Sequence, residues 1–316
     1  MKILLIQLRQ LGDVILTSAA TRQLRKIYPD AEIVFMSEHL GINAYKFSPR
    51  VNRIWAINRK LSFIETIKLF LQVRHEKFDL VIDYFSNPRS AQITFFSGAK
   101  ERTGFNFNLR KLAYTKSVNI PFAEEYAAKS KIRLIEHLGG DLNDDVIECF
   151  IDDNYRKFAD EFAIKHKFEN RTIALCTVSR REYRVIKPKF WAKIANYLIK
   201  KGYKIWFIYG PGEKHYPQKV FDLLEDKNEA IIDHEINEVL QTRAVLEKCL
   251  LYMGNDGGNK HLAVTAGIPT ITIFKVGVIS NWTARGHIGF QYEEGVEETD
   301  VIKACEDALK RRKNAE

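Results

Sequence analysis

Short apolar runs alternate along this chain with longer segments in which apolar residues recur every three or four positions. The first pattern is typical of buried strands and the second of amphipathic helices. Predicted strands lie at residues 2–8, 32–36, 53–57, 80–84, 102–105, 172–177, 204–209, 230–232, 250–253 and 270–274. Predicted helices include 14–28, 62–75, 188–201, 218–224, 237–247 and 299–312. Strands that alternate with helices predict an α/β fold with parallel sheets and helices on both faces.

A polar, acidic junction divides this alternation into two halves. Residues 143–170 carry several acids and one short helical stretch before a new strand begins at Thr172. The chain has 316 residues, which is enough for two domains of ordinary size. We therefore predict two doubly wound, Rossmann-like domains, 1–150 and 151–298, that face a central cleft. A closing helix in residues 299–316 follows them.

The composition is that of a globular protein, with 46% hydrophobic and 28% charged residues. No apolar run approaches the ~18 residues of a membrane-spanning helix. The apolar start is interrupted by Arg9 and Asp13 too early for a signal peptide. Four widely spaced cysteines, at positions 149, 176, 249 and 305, predict free buried thiols in a reducing compartment. These features predict a cytoplasmic protein.

The net charge of +9 is concentrated in the first third of the chain. Residues 1–118 contain 19 Lys and Arg against 9 Asp and Glu, whereas the remainder contains 30 against 31. A basic excess indicates an anionic partner, such as a phosphorylated substrate, an acidic membrane surface or nucleic acid. No zinc-finger or RNA-binding motif supports nucleic acid. A solvated basic surface without a specific partner is the alternative.

Asp13 stands where the first predicted strand gives way to the first predicted helix. In an open α/β sheet, ligands bind in the crevice at the carboxyl ends of the strands. A carboxylate in that crevice can accept a proton from an attacking hydroxyl as a general base. An acid at a helix start can equally cap free backbone N–H groups, and the local sequence leaves this alternative open.

Three polar turns follow predicted strands in the second half. The Gly-rich segment 254–261 precedes a helix, where backbone N–H groups can hold a phosphate, although its Gly spacing fits neither a Walker sequence nor a dinucleotide fingerprint. The segment 178–187 supplies cations that can clamp a diphosphate, and Glu213 can accept bonds from ribose hydroxyls. Taken singly, each segment can also be a plain turn or an exposed basic loop. Together they predict a nucleotide diphosphate at one sheet edge, with Asp13 facing it from the other domain.

Considered together, these segments resemble the ADP-heptose:lipopolysaccharide heptosyltransferases, family 9 of the glycosyltransferases. The resemblance covers nearly the whole chain, and its opening motif, at residues 6–14, is closest to the branch that adds the third heptose. It is carried by residues 6–14, 102–105, 179–184, Pro188, 210–213 and 256–261, followed by Ala263, Ala266, Gly267 and Pro269. The first and last of these blocks are specific, whereas the others are weak singly.

The resemblance implies a GT-B fold and an inverting transfer of a sugar from a nucleotide diphosphate, without a metal or other cofactor. Asp13 would be the general base. The donor, ADP-heptose, would be bound by Arg184, Lys187, Glu213, Asp256, Gly257, Gly258 and His261. Glu213 would hold the nucleoside, Asp256 the sugar and the glycine amides the phosphate, while His261 would support the turn.

The implied acceptor is a lipopolysaccharide core, made of lipid A with Kdo or heptose. Candidate contacts to it are Arg9, Gln10, Arg59, Lys60, Asn87 and Arg89, which lie in or near loops of the first domain. A basic first domain suits such a phosphorylated lipid and predicts peripheral, electrostatic contact with the anionic inner face of the cytoplasmic membrane. Nucleic acid is not an expected partner.

Several positions near the donor depart from the family pattern. Arg184 replaces a Lys, Ile186 replaces a Trp, and Gly257 replaces a Ser or Thr; residues 274–277 lack the usual Gly-x-Thr. Two alternatives follow. The chain is a related GT-B transferase that uses a different nucleotide sugar, or it is a nucleotide-sugar-binding protein with a degenerate site. The acids Asp13, Glu213 and Asp256 argue against the second alternative.

Overall fold

The structure is a computed structural model that describes residues 1–120, 125–179, 181–233 and 235–314. The chain forms two compact units, Met1–Phe150 and Ile151–Glu316. Each unit is built on one six-stranded sheet. All strand pairs in both sheets are parallel, which confirms the predicted α/β class.

The first sheet has the strand order β3-β2-β1-β4-β5-β6. Its strands are β1 (Lys2–Ile6), β2 (Glu32–Glu38), β3 (Arg53–Ile57), β4 (Leu80–Asp83), β5 (Glu101–Phe105) and β6 (Lys116–Val118). The central strand β1 pairs with β2 on one side and β4 on the other, and its residues Ile3 to Ile6 are fully buried. Burial on both faces explains why this strand is a continuous apolar run.

In the described part of this unit, helices α1 (Leu11–Ile27), α2 (His39–Ile42), α3 (Phe63–His75) and α4 (Pro88–Phe96) connect the strands, and α5 (Ala127–Arg133) follows the last of them. Local sequence sets where two of them begin. The Ser62 hydroxyl accepts a hydrogen bond from the Glu65 N–H (3.3 Å), and the Glu65 carboxylate accepts one from the Ser62 N–H (2.7 Å), so α3 starts with a capping box. Helix α4 starts at Pro88, whose ring suits the first helical position.

The second sheet repeats the first, with the order β12-β11-β10-β7-β8-β9. Its strands are β7 (Thr172–Cys176), β8 (Lys204–Phe207), β9 (Ala230–Ile231), β10 (Leu251–Asn255), β11 (Thr270–Phe274) and β12 (Ile288–Gln291). Its helices are α6 (Asp153–Lys165), α7 (Pro188–Lys200), α8 (His215–Phe221), α9 (Val239–Leu246), α10 (Gly258–Thr265), α11 (Ile279–Trp282) and α12 (Glu298–Lys313). In both units, the first strand of the unit lies at the centre of its sheet.

Each sheet is buried by its own helices. In the second unit, Trp191, Ile194 and Leu198 of α7 lie on one face of that helix and pack in a core with β7, β8 and β10. Helix α12 contributes Val301 and Cys305 to the same core, so the predicted closing helix belongs to the second compact unit. In the first unit, Leu69 and Val73 of α3 pack against β1, β2 and β4.

All ten predicted strands exist, with ends that differ by a few residues. The strand predicted at 2–8 ends at Ile6, although the Gln7 N–H still donates to the Met36 carbonyl (3.1 Å). The helix predicted at 218–224 is His215–Phe221, because Pro217 lies within its first turn instead of before it. The elements missing from the prediction are β6, β12, α2, α4, α5 and α11. Both missed strands are short edge strands that lack a buried apolar run.

The composition predicts free buried cysteines and no membrane-spanning helix. All four cysteines are free and buried, as predicted. None of the helices in the described ranges combines the length and the apolar character that a bilayer crossing requires.

Candidate active site

Three of the predicted site residues follow the central strands of the two sheets. In both strand orders, the connections leave in opposite directions from a central pair, β1 and β4 in one sheet and β7 and β10 in the other. Open α/β sheets bind their ligands at this switch point. Asp13 follows β1, Arg184 follows β7 and Asp256 follows β10. Each sheet therefore carries predicted residues at the position where ligands are expected.

The Asp256 carboxylate lies between two cations at the end of β10. Its Oδ2 accepts a hydrogen bond from Arg184 Nη1 (3.0 Å), and its Oδ1 accepts one from Lys260 Nζ (2.5 Å). Asp256 is 8% exposed, so water screens these ion pairs only weakly. The structure thus brings the predicted Arg184 and Asp256 together and adds a cation that the sequence prediction left out of the site.

Lys260 is a buried cation on the first turns of α10. It is 3% exposed, and its ammonium lies 4.5 Å from the centre of the Phe274 ring and 5.9 Å from that of Trp282. Burial lowers the pKa of Lys260 to about 8, although the charge of Asp256 opposes this shift. The sequence signal for this pair is the four-residue spacing between Asp256, just before α10, and Lys260 in its first turn.

Two glycines form the start of α10, so no side chain covers its first N–H groups. Gly257 is the N-cap residue, with extended backbone (φ −178°) and no side-chain cap, and Gly258 is the first helical residue. A Cβ atom at position 257 would meet nothing within 4 Å. The first N–H groups of a helix have no partner within the helix and can receive an anion, and a phosphate at this turn stays a prediction.

Hydrogen bonds to Asn255 hold the end of β10 in place. Asn255 Nδ2 donates to the Thr177 carbonyl (2.6 Å), and Trp191 Nε1 donates to Asn255 Oδ1 (3.2 Å). These bonds tie β10 to the loop after β7 and to α7. His261 lies buried in α10, where burial holds its pKa well below the usual range, and its Nδ1 has no hydrogen-bond partner among the described residues.

The remaining donor candidates flank this cluster. Arg184 ends a short 3₁₀ turn (Glu182–Arg184), whereas Lys187 is exposed and directly precedes α7. Glu213 lies after β8, and its Oε2 accepts a hydrogen bond from the Gly210 N–H (2.9 Å). Arg180, which the sequence grouped with these cations, lies outside the described residues.

Asp13 is the third residue of α1 and does not cap it. The N-cap residue is Gln10, and no side-chain bond caps this helix end. The capping alternative is therefore wrong, because the helix begins two residues before Asp13. The Asp13 side chain is half-buried, and its carboxylate makes no hydrogen bond or ion pair with any residue in the described ranges. This leaves the carboxylate available for a proton from a substrate.

Lys131 of α5 is a buried cation near Asp13 that the sequence did not reveal. Its Nζ donates to Gln7 Oε1 (2.9 Å) and to the Tyr84 carbonyl (3.1 Å). Burial lowers the pKa of Lys131, while the charges of Asp13 and Asp83 oppose that shift. Gln7 in turn donates to the Arg9 carbonyl (2.7 Å), so the lysine is hydrogen-bonded into the turn that leads to Asp13.

The acceptor candidates line the carboxyl edge of the first sheet. Arg89 Nη1 donates to the Arg59 carbonyl (2.9 Å), and burial together with the charge of Arg9 lowers the Arg89 pKa. Arg9 lies against the Phe85 ring (5.8 Å), whereas Gln10 and Lys60 are exposed. Asn87 uses its Oδ1 to accept a bond from the Ser90 N–H (2.8 Å) and so caps α4. The arrangement is a strongly basic rim beside Asp13.

Asp83 is a second buried acid at this edge, and it was absent from the prediction. Its Oδ1 accepts from the Ser86 N–H (2.8 Å), and its Oδ2 accepts from the Tyr114 hydroxyl (2.8 Å). Burial raises the Asp83 pKa to about 6, although these hydrogen bonds lower it. Asp83 thus fixes the turn after β4.

Comparison with known proteins assigns the chain to a family. The model of glycosyltransferase family 9 (heptosyltransferase) matches residues 66–287. The chain belongs to glycosyltransferase family 9. The lipopolysaccharide heptosyltransferase 1 of Campylobacter coli is 24% identical to this family 9 chain over 301 residues, which cover 87% of the chain and 84% of that protein. The predicted family is confirmed, whereas the branch that adds the third heptose stays a prediction.

Solved structures show the fold of this family 9 chain. The family 9 glycosyltransferase of Veillonella parvula matches with a TM-score of 0.85 and 23% identity, over 98% of this chain and 97% of that one. The ADP-heptose lipopolysaccharide heptosyltransferase II of E. coli matches with a TM-score of 0.78 and 17% identity, over 99% and 100%. These likenesses confirm the predicted GT-B fold.

Three positions at which this chain differs from the family 9 sequence pattern can be located in the structure. Ile186 is 1% exposed and packs in the core of the second unit. Gly257 leaves open space where a hydroxyl-bearing side chain is usual. After β11, Lys275 Nζ donates to the Val185 carbonyl (3.4 Å). The matched residues begin after Asp13, so the predicted base lies outside the segment that identifies the family.

Proposed function

We propose that this family 9 chain transfers a heptose from ADP-heptose to a lipopolysaccharide core acceptor. The transfer inverts the anomeric centre and uses no metal or other cofactor. The observation that carries the proposal is the cluster of Arg184, Asp256 and Lys260 at the end of β10, beside the bare helix start at Gly257 and Gly258. Cations and free amides at a switch point suit a nucleotide diphosphate.

The charges of this cluster favour departure of a diphosphate. Two cations share one carboxylate, which leaves a net positive charge when Lys260 is protonated. As the bond between the sugar and the diphosphate breaks, negative charge grows on the leaving phosphate, and Arg184, Lys187 and the amides of Gly257 and Gly258 stabilise it. Such groups take the part that a divalent cation plays in other transferases.

The other donor-binding residues position the nucleotide sugar. Glu213, held by its bond to Gly210, receives the ribose hydroxyls, and Asp256 contacts the sugar. His261 supports the turn from inside α10. Each assignment follows the family pattern at the matching position.

Asp13 acts as the general base in this proposal. It accepts the proton of the acceptor hydroxyl while that oxygen attacks the anomeric carbon from the face opposite the leaving group. The carbon–oxygen bond to the diphosphate breaks, and its electron pair leaves with ADP. One proton on Asp13 and one ADP balance the new glycosidic bond. The proposal requires Asp13 to face the donor from the first unit.

The acceptor lies along the basic rim of the first sheet. Arg9, Arg59, Lys60 and Arg89 supply charge for the phosphates of a lipopolysaccharide core, and Gln10 and Asn87 supply amides. We infer peripheral contact with the anionic cytoplasmic face of the inner membrane, because the acceptor is anchored there. Nucleic acid is not a proposed partner.

A melting-temperature panel tests the donor. ADP, ADP-heptose, UDP and GDP are added at matched concentrations, and only ligands that bind the folded chain raise the melting temperature. Selective stabilisation by ADP and ADP-heptose is expected. No shift with any ligand would contradict donor binding and favour a degenerate site.

The Asp13→Asn variant tests the base separately. Turnover should fall by about 10²–10⁴-fold, the usual contribution of a general base, while the ADP-heptose shift stays intact. Full turnover in this variant would remove Asp13 from the mechanism and leave the donor assignment standing.

A related transferase with a different nucleotide sugar is the second candidate. It is favoured by the open space at Gly257, which can admit a differently substituted sugar. Stabilisation by UDP or GDP instead of ADP would select this candidate.

A further inference from the structure

Exposed apolar side chains cluster on one part of the first unit. Among the described residues, eight of the fourteen exposed large apolar side chains lie on α3, on α4 and in the 3₁₀ turn Asn108–Ala113. We call these eight the apolar patch: Phe63, Ile64, Ile67, Leu71, Phe95, Phe96, Leu109 and Leu112. Scattered exposed apolar residues are ordinary, whereas a concentration on neighbouring elements marks an interaction surface.

The three elements that carry the apolar patch are in contact. Phe70 of α3 stacks on Phe96 of α4, with ring centres 4.7 Å apart. Ala91 of α4 packs with Ala113 and Tyr114 at the end of the 3₁₀ turn. The patch therefore lies on three elements that pack against one another, α3 on α4 and α4 on the turn.

The fold of the first unit does not need these side chains. Helix α3 buries Leu69 and Val73 against the sheet, which accounts for its inner face. On the same helix, Ile64 is 65% exposed and Leu71 is 63% exposed. Exposed apolar positions at a spacing of seven lie on one helical face, opposite to the face that the core requires.

Cations are interspersed with the apolar patch. Lys68 lies on α3, Lys100 follows α4, and Lys111 lies between Leu109 and Leu112. All three lysines are exposed, and the charge of Lys68 acts on Glu65 of the same helix. Glu65 is an exposed acid on the same helix, and its carboxylate is engaged in the cap of α3. Glu101, which directly follows Lys100, is a second acid beside the patch, and the three lysines outnumber the two acids.

We propose that the apolar patch with its lysines docks on the surface of an anionic phospholipid bilayer. This inference rests on the proposed function, since it names the surface that would bring the first unit to a lipid-linked acceptor. Apolar side chains enter the boundary of the acyl region while lysines contact lipid phosphates, which is how interfacial helices bind. A second copy of the chain fits less well, because it would bring like charges together.

Sedimentation with vesicles tests this surface on the full chain. The vesicles are mixed phosphatidylglycerol and phosphatidylcholine in one arm and phosphatidylcholine alone in the other. The test variants are Ile64→Glu/Leu71→Glu and Lys68→Gln/Lys111→Gln. Ile164→Glu is the matched control, because Ile164 is 78% exposed on α6, a helix of the second unit. Melting temperatures show that each variant is folded.

The wild-type chain and the Ile164→Glu control should bind the anionic vesicles equally, and added salt should weaken that binding. The lysine variant should bind about 25-fold more weakly, from about fivefold for each lysine removed. The glutamate variant should lose measurable binding. Equal binding by all variants, or binding that ignores phosphatidylglycerol, would overturn the proposal.

Two further measurements distinguish membrane docking from dimer formation and from the proposed donor binding. Light scattering that shows a dimer in the wild-type chain and a monomer in Ile64→Glu/Leu71→Glu would assign the patch to a second copy and overturn the membrane proposal. The ADP-heptose melting shift, measured without vesicles, tests the donor site alone. A retained shift with no vesicle binding would overturn only the docking surface, whereas vesicle binding without a shift would overturn only the proposed function.

Discussion

Replacing Asp256 by Asn should destabilise the second unit through the lysine that it leaves behind. In the wild-type chain, Asp256 accepts from both Lys260 and Arg184. The amide side chain of the Asp256→Asn variant keeps the shape of the carboxylate but removes its charge. Lys260 would then be a buried ammonium next to Arg184 without any counter-charge.

The magnitude follows from burial. Lys260 is 3% exposed, and loss of one partner from a buried pair costs ~3–5 kcal/mol. Arg184, whose side chain is 30% exposed, is screened by water and contributes little. Because burial already lowers the Lys260 pKa to about 8, the lone lysine can lose its proton near neutral pH, which limits the cost. We therefore expect a loss of about 3 kcal/mol in the free energy of unfolding.

Urea unfolding of Asp256→Asn and of the double variant Asp256→Asn/Lys260→Met measures this cost. Tryptophan fluorescence reports mainly on the second unit, which contains Trp191, Trp206 and Trp282 of the four tryptophans. The double variant removes the unpaired ammonium and should regain about 2 kcal/mol of the loss. A single variant that costs under about 1 kcal/mol, or a double variant no more stable than the single one, would refute the reasoning.

Three further outcomes are expected. First, the folded pKa of Asp83 (about 6) lies above its ordinary value of 3.8, so Asp83 should contribute a fall of about 3 kcal/mol to the wild-type free energy of unfolding as the pH rises through this interval. Asp83→Asn should lack this contribution, so the difference in free energy of unfolding between the wild-type chain and the variant should change by about 3 kcal/mol across the interval in pH-dependent urea unfolding. Second, Gly254→Ala places a Cβ atom in steric overlap with the Cys176 carbonyl oxygen, a backbone atom, and should lower the melting temperature strongly, whereas Gly257→Ala meets nothing within 4 Å and should not. Third, Gly257→Ser should supply the missing N-cap of α10 and stabilise the chain by a few tenths of a kcal/mol, measured as a small rise in melting temperature.

Each of these outcomes has a clear contrary result. A parallel pH dependence in the wild-type chain and Asp83→Asn would show that other groups cause it. Equal melting temperatures for the two alanine variants would contradict the close approach of β10 to β7. A lower melting temperature for Gly257→Ser would mean that the hydroxyl fails to reach the first amides of α10.

The sequence predicts the strand–turn–helix units well because their signal is local. The strands before Asp13, Glu213 and Asp256 are apolar runs, and parallel strands place the turns that follow them at one edge. The order of strands within a sheet is not a local property. The sequence predicts doubly wound parallel sheets but no strand order, which comes from the structure.

Residues that depend on packing escaped the prediction. Lys131 lies on α5, far along the chain, and reaches Gln7 only because that helix packs on α1. Asp83 ends an apolar run and looks like an ordinary turn residue until its burial is known. Ile64 and Leu71 have helical spacing, which indicates an apolar face but does not say whether the protein covers it.

The repeated strand order of the two sheets has a consequence for protein engineering. Each unit closes its own core, and the chain passes from one to the other once, between Phe150 and Ile151. A single crossover at this point can therefore exchange whole halves between homologous enzymes without cutting a sheet. If the first unit binds the acceptor and the second unit binds the donor, as proposed, recombined libraries made this way would pair one enzyme's choice of nucleotide sugar with another's choice of acceptor, so that the two specificities become separately selectable traits.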